Sequence, residues 1–146
     1  MIISSKGEYG VRALFDLAQQ YGTDPVTSAD IAARQQIPEA YLEQLLALLR
    51  KGGLVRSVRG PQGGYTLAFP PDMISLADAV QVLEGDLAPV QGFDDPPAAD
   101  ERIEQQVLRD VWREMDAAIG QVLESTTLQD LCDRKQARGE QIMYYI

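Results

Sequence analysis

Histidine is absent from this 146-residue chain and cysteine occurs once, at Cys132. Without histidine the usual general base is missing, and no Ser or Cys stands in a recognisable nucleophile setting, so catalysis is not expected. A single cysteine excludes an internal disulfide and fits a reducing compartment. No apolar run approaches the roughly eighteen residues of a membrane span, and the opening MIISSKGEYG lacks the apolar stretch of a signal peptide. A soluble, cytoplasmic protein without a membrane partner is the expectation. The glycines at 60, 63 and 64 are followed by no Lys-Ser or Lys-Thr and lead into a strand, which excludes a phosphate-cradling nucleotide loop.

Positive charge is scarce, with 13 Lys and Arg against 22 Asp and Glu and a net charge of -9. Its distribution is uneven. Up to Pro71 seven basic residues meet six acidic ones, whereas beyond it six meet sixteen, so the first part carries +1 and the second -10. Lys6, Arg12, Arg50, Lys51, Arg56 and Arg59 are available to form a basic stripe on a near-neutral half, the footprint of a nucleic-acid reader.

The most informative stretch is PEAYLEQLLALLRKGGLVRSVRGPQGGY, residues 38–65. Leu42, Leu45, Leu46 and Leu49 fall on one face of a helix that Pro38 opens and Gly52-Gly53 closes. Glu39, Ala40, Glu43, Gln44 and Ala47 form the outward surface, and Arg50 and Lys51 occupy the last turn, where cations suit the helix dipole. Residues 54–59 and 64–69 read as a hairpin with Tyr65, Leu67 and Phe69 on one face and a glycine-rich tip beside Arg59. Residues alone leave two readings open: a DNA-reading helix with a wing, or a core helix and an ordinary turn.

Around this stretch, 45% hydrophobic composition supports one core with a helical extension. Ser5 and Glu8 suggest a capping box for a first helix with Val11, Leu14, Phe15, Ala18 and Tyr21 as its apolar stripe. Thr27 and Asp30 cap a short second helix holding Ile31 and Ala32, and Ser75 and Asp78 cap a fourth with Leu76, Ala79, Val80 and Leu83 inward. The fold class is mainly α with a small β-hairpin: a winged helix-turn-helix domain at 1–84, a Gly-, Pro- and Asp-rich loop at 85–100, and a long helix with a C-terminal tail at 101–146. In that helix Leu108, Val111, Trp112, Met115, Ile119 and Val122 recur at alternating threes and fours, a seam suited to pairing with a second copy. Thr127 and Asp130 cap a last short helix, and the apolar end Met143-Tyr144-Tyr145-Ile146 is expected to dock.

SKGEYGVRALFDLA at 5–18, YLEQLLALLRKGGLV at 41–55, RGPQGGYTL at 59–67 and LRDVWREM at 108–115 resemble the Rrf2 family of bacterial transcription regulators. The resemblance implies a homodimer, paired through the long helix, that sets two winged domains on a palindromic operator; repression is the expected mode of regulation. It implies that Tyr41, Glu43 and Gln44 face the major groove and that Arg59 with Gly60 enters the minor groove, with Lys6, Tyr9, Arg50, Lys51 and Arg56 as phosphate contacts. The chemistry agrees: Gln44 can pair bidentately with adenine, Glu43 can accept from the cytosine amino group, and a narrow minor groove attracts Arg59. A module that binds an enzyme or the transcription machinery is the alternative that the acidic second half suits.

One departure from the family stands out. Many members hold an iron-sulfur cluster on three cysteines of the loop before the long helix, whereas here those positions fall near Gly92 and Ala99 and on Gln106. Amides and carboxylates hold sulfide-bridged iron poorly, so no cofactor is expected and a metabolite or protein effector at the loop replaces the cluster as the signal. Two other ligand readings are open: Cys132 beside Asp130 and Asp133, bridging or sharing a metal in a dimer against a small packed residue; and Asp94, Asp95, Asp100, Glu101 and Glu104 as a hard-cation site against a solvated, acid-rich helix start.

Overall fold

A computed structural model describes residues 3–144. Helices α1 (Ser5–Gln19), α2 (Ser28–Gln35) and α3 (Glu39–Lys51) precede strands β1 (Val55–Val58) and β2 (Gly64–Leu67). A 3-10 turn (Pro71–Met73), α4 (Leu76–Glu84), α5 (Ile103–Ser125) and α6 (Leu128–Tyr144) follow. The strands pair antiparallel with Val55 opposite Leu67 and Val58 opposite Gly64.

Helix α3 is the centre of the core, because Leu42, Leu45, Leu46 and Leu49 are buried together with Leu14, Leu17, Ile31, Ile37, Ile74 and Leu83. Each such side chain contributes about 1.5–3 kcal/mol relative to exposure. The caps at Thr27 and Ser75 form as expected: Thr27 Oγ1 accepts from Asp30 N–H at 3.1 Å, and Ser75 and Asp78 complete a reciprocal capping box. Gly85, at φ +75°, ends α4.

The start of α1 differs from expectation. Ser4, not Ser5, is its cap, and the box between Ser5 and Glu8 does not form; Glu84 instead accepts from Ser4 N–H at 2.9 Å, Ser4 Oγ at 2.5 Å and Gly7 N–H at 2.9 Å. A carboxylate from the end of α4 thus serves the unpaired donors of α1. The side chain of Ser4 and the two backbone donors hold the Glu84 carboxyl below its ordinary range. The inward face of α1 runs through Gly7, Gly10, Ala13, Leu14 and Leu17, so Tyr21, beyond the helix, is exposed rather than part of the stripe.

Two further corrections concern chain ends of elements. Strand β2 stops at Leu67, and Phe69, placed on the inner face by alternation, is exposed. The last helix is long rather than short, with 17 residues. Only its start is packed: Leu128 is fully buried, Leu131 and Cys132 lean on the core, and Leu76 N–H donates to Thr126 O while Leu128 N–H donates to Ile74 O. At the other end Ile142 and Met143 are exposed, and the remainder of the apolar end expected to dock, the Tyr144 side chain with Tyr145 and Ile146, lies outside the described residues.

Candidate nucleic-acid interface

The helix-turn-helix is α2, a tight turn and α3. Gln36 takes a left-handed conformation at φ 55°, Ile37 is buried and Pro38 starts α3. This turn is held from α1 by two polar anchors. Asp16, only 2% exposed, accepts from Arg34 Nε and Nη2 at 2.9 and 2.8 Å and from Gln35 Nε2 at 3.0 Å. Bonding to Asp16 raises the Arg34 pKa from its already high ordinary value. Arg12 Nη1 donates to Gln35 O at 3.1 Å, and its guanidinium lies 4.5 Å from the centre of the Tyr9 ring.

Arg12 is therefore not a free member of the basic stripe. It is half-buried, and its Nε lies 3.4 Å from Glu8 without the alignment of a hydrogen bond. Tyr9 and Tyr41 are likewise half-buried, meeting edge to face with ring centres 5.9 Å apart, so packing occupies much of both rings.

The outward face of α3 is open: Glu39, Ala40, Glu43, Gln44, Ala47, Arg50 and Lys51 are all exposed. Glu43 and Glu39 each approach Ser28 Oγ, at 3.4 and 3.5 Å, joining the first turn of α2 to the reading helix. Ser28 was not singled out by sequence; its signal is its place directly after the Thr27 cap. Gln44 has no protein hydrogen-bond partner among the described residues and keeps both amide groups available for a base edge.

The wing is attached to the same unit. Tyr65 and Val26 exchange backbone hydrogen bonds at 2.9 and 2.7 Å, and the next residue, Thr27, caps α2. Gly64 is needed at this junction, since at φ +153° a Cβ would stand 2.5 Å from the Val26 carbonyl oxygen. Beyond it Arg59 and Gly60 are exposed at the tip, Arg56 is exposed on β1, and Gly63 N–H donates to Gly60 O at 2.9 Å. Lys6 is exposed in the first turn of α1. An exposed helix with a clean polar face, braced on a short helix and flanked by a glycine-tipped wing, has the shape and donor set of a major-groove reader with a minor-groove arm.

Residues 3–134 match the family described as Rrf2, iron-dependent transcriptional regulator. The chain belongs to the Rrf2 family. It is 40% identical over 146 residues to the HTH-type transcriptional regulator CymR of Bacillus subtilis, covering all of both chains. To the protein rrf2 of Nitratidesulfovibrio vulgaris it is 37% identical over 131 residues, 90% of this chain and 87% of that one. The solved structure of B. subtilis CymR superposes with a TM-score of 0.80 over 92% of this chain and 98% of that one, at 40% identity. That of T. potens IscR does so with 0.76 at 45% identity, over 92% and 88%. Of the two function classes open from sequence, the family decides for a DNA-binding transcription regulator, and the family is not one of enzymes. Among the described residues no helix is long and apolar enough to cross a membrane.

The family description speaks of iron, and the donors of this Rrf2 chain do not fit an iron-sulfur cluster. The loop between α4 and α5 offers only carboxylates, amides and carbonyls, and Cys132 leans on the core from α6. Burial, with a smaller push from Asp133, raises the Cys132 thiol pKa. Glu101 is taken up by Arg109, and among the described residues no three potential ligands are grouped to hold a metal.

Proposed function

We propose that this Rrf2 regulator is a homodimeric repressor that reads a palindromic operator with α3 in the major groove and the wing in the minor groove. The observation that carries the reading is a pair of open faces: the polar face of α3, and α5, in which none of 23 residues is buried. Leu108, Val111, Met115 and Val122 are 51%, 42%, 39% and 61% exposed, and Trp112 and Ile119 are half-buried. A helix with that much unpaired apolar surface is stabilised by a second copy, and a two-fold pairing gives two reading heads for two half-sites. Tyr41, Glu43 and Gln44 read bases, Arg59 and Gly60 enter the minor groove, and Lys6, Tyr9, Arg50, Lys51 and Arg56 contact phosphate. The signal is a small-molecule or protein effector at the loop following Gly85, not a cluster.

Selection of bound duplexes from a genomic library with the wild type, Gln44→Ala and Arg59→Ala tests the reading. An enriched palindrome that weakens in both variants is expected; enrichment unaffected by either would refute the assignment of the reading face.

A further inference from the structure

From Asp86 to Asp100 the chain has no regular structure, and its internal hydrogen bonds are local turns such as Asp95 N–H to Gly92 O at 3.1 Å. Among the described residues, Arg109 is the one side chain outside this stretch that hydrogen-bonds to it; Glu101 N–H adds a local turn to Ala98 O at 3.1 Å, and Arg113 lies 3.9 Å from the Asp94 carboxylate. Its Nη1 donates to the carbonyls of Phe93 at 2.9 Å and Asp95 at 2.5 Å, while Nε and Nη2 donate to Glu101 Oε1 at 3.1 and 2.5 Å. The two side chains are 17% and 8% exposed, so this is a desolvated centre rather than a surface ion pair.

Phe93, whose carbonyl is held there, stands between two hollows. One, of about 370 Å³, is lined by Val80, Ile119 and Leu123 of α4 and α5; the other, of about 220 Å³, by Leu108 and Trp112. Arg109 lies between Leu108 and Trp112 on α5, so the fixture that seats Phe93 adjoins the apolar seam.

We propose that Arg109 is a latch that straps the Phe93–Glu101 segment onto α5, with Phe93 as its plug, and that undoing it changes operator affinity. The regulatory half rests on the function proposed above; the structural half does not. A guanidinium is suited to this, because its planar fork serves a carboxylate and two carbonyls at once, which an ammonium does not. Release frees the backbone groups of the strap, lifts Phe93 from between the two hollows and disturbs the adjoining end of the dimer seam, so the strap and the reading heads share one equilibrium.

Hydrogen exchange of the full chain, read by mass spectrometry for the wild type, Arg109→Ala, Arg109→Lys and Glu101→Gln, tests the latch without DNA. Exchange in 93–101 is expected to rise at least about tenfold in Arg109→Ala and by less in Arg109→Lys, with α1 to α4 unchanged. Unchanged exchange in that segment would overturn the latch, and Glu101→Gln supplies the same test should Arg109→Ala fold poorly. Titration of the same proteins with the selected duplex then reads the coupling, expected at about fivefold or more in half-saturation. A loosened strap with unaltered DNA affinity would overturn the regulatory half. A wild type that binds no duplex would instead refute the proposed function, with the exchange data still deciding the latch.

Discussion

Replacing Asp16 by asparagine removes a charge without changing size, at the point where α1 holds the helix-turn-helix. The carboxylate is 2% exposed and accepts three hydrogen bonds, at 2.8, 2.9 and 3.0 Å. An amide keeps one acceptor and must turn its NH2 toward the Arg34 guanidinium or the Gln35 amide donor. Removing one partner of a buried pair costs about 3–5 kcal/mol, and a charge-assisted hydrogen bond contributes about 1.5–3 kcal/mol. The Arg34 side chain is 44% exposed, so the released cation regains water and the lower part of these ranges applies. The expected loss is about 2–3 kcal/mol, or a fall in Tm of roughly 4–12 °C for a chain of this size. Urea unfolding followed by far-UV circular dichroism, at one fixed protein concentration because association adds to apparent stability, measures it. A double-mutant cycle with Arg34→Met should return a coupling of about 1.5 kcal/mol. A loss and a coupling both under about 0.5 kcal/mol would refute the claim that this pair braces α2.

Gly64→Ala places a Cβ 2.5 Å from the Val26 carbonyl and should destabilise the chain by about 1–3 kcal/mol in the same assay while weakening DNA binding through the displaced wing. Gln44→Ala should lose roughly tenfold to a hundredfold in affinity at the operator and little on mismatched duplexes, read by fluorescence anisotropy. Lys51→Ala should weaken all duplexes alike and lower the salt slope by about one. Glu84 has a depressed folded-state pKa, so its contribution is complete above the ordinary glutamate value of 4.5 and is lost as pH falls through the lower folded value. Glu84→Gln should therefore flatten the acid limb of a stability–pH curve below about pH 4.5, whereas an unchanged limb would deny its role at the α1 cap.

What was legible in the chain was what local rules control. The leucines of α3, the Thr27 cap, the Ser75–Asp78 box and the glycine stop after α4 are all settled within a few residues, and each stands in the structure as the pattern implied. Features decided by distant parts of the chain were not legible. The α1 cap moved to Ser4 because Glu84, 80 residues away, supplies the acceptor. Asp16 interrupts an apolar face, and only the arrival of Arg34 and Gln35 makes that position tolerable. Arg12 reads as a surface cation until α2 brings the Gln35 carbonyl to it. The length of α6 is hidden because past Cys132 it has no apolar period; good helix formers such as Gln, Lys, Arg and Glu sustain it instead. Exposure of Phe69 follows from β2 ending two residues earlier, where alternation no longer carries information.

The most direct test of the account is the native mass of the complex between the full chain and its selected duplex, measured for the wild type and for Met115→Asp, which puts a charge in the middle of the α5 seam. Two chains on one palindrome for the wild type, and loss of the complex for Met115→Asp while the variant stays folded, are the predicted result. One chain on each duplex, or undiminished two-chain binding by Met115→Asp, would contradict a regulator that reads its operator as an α5-paired dimer.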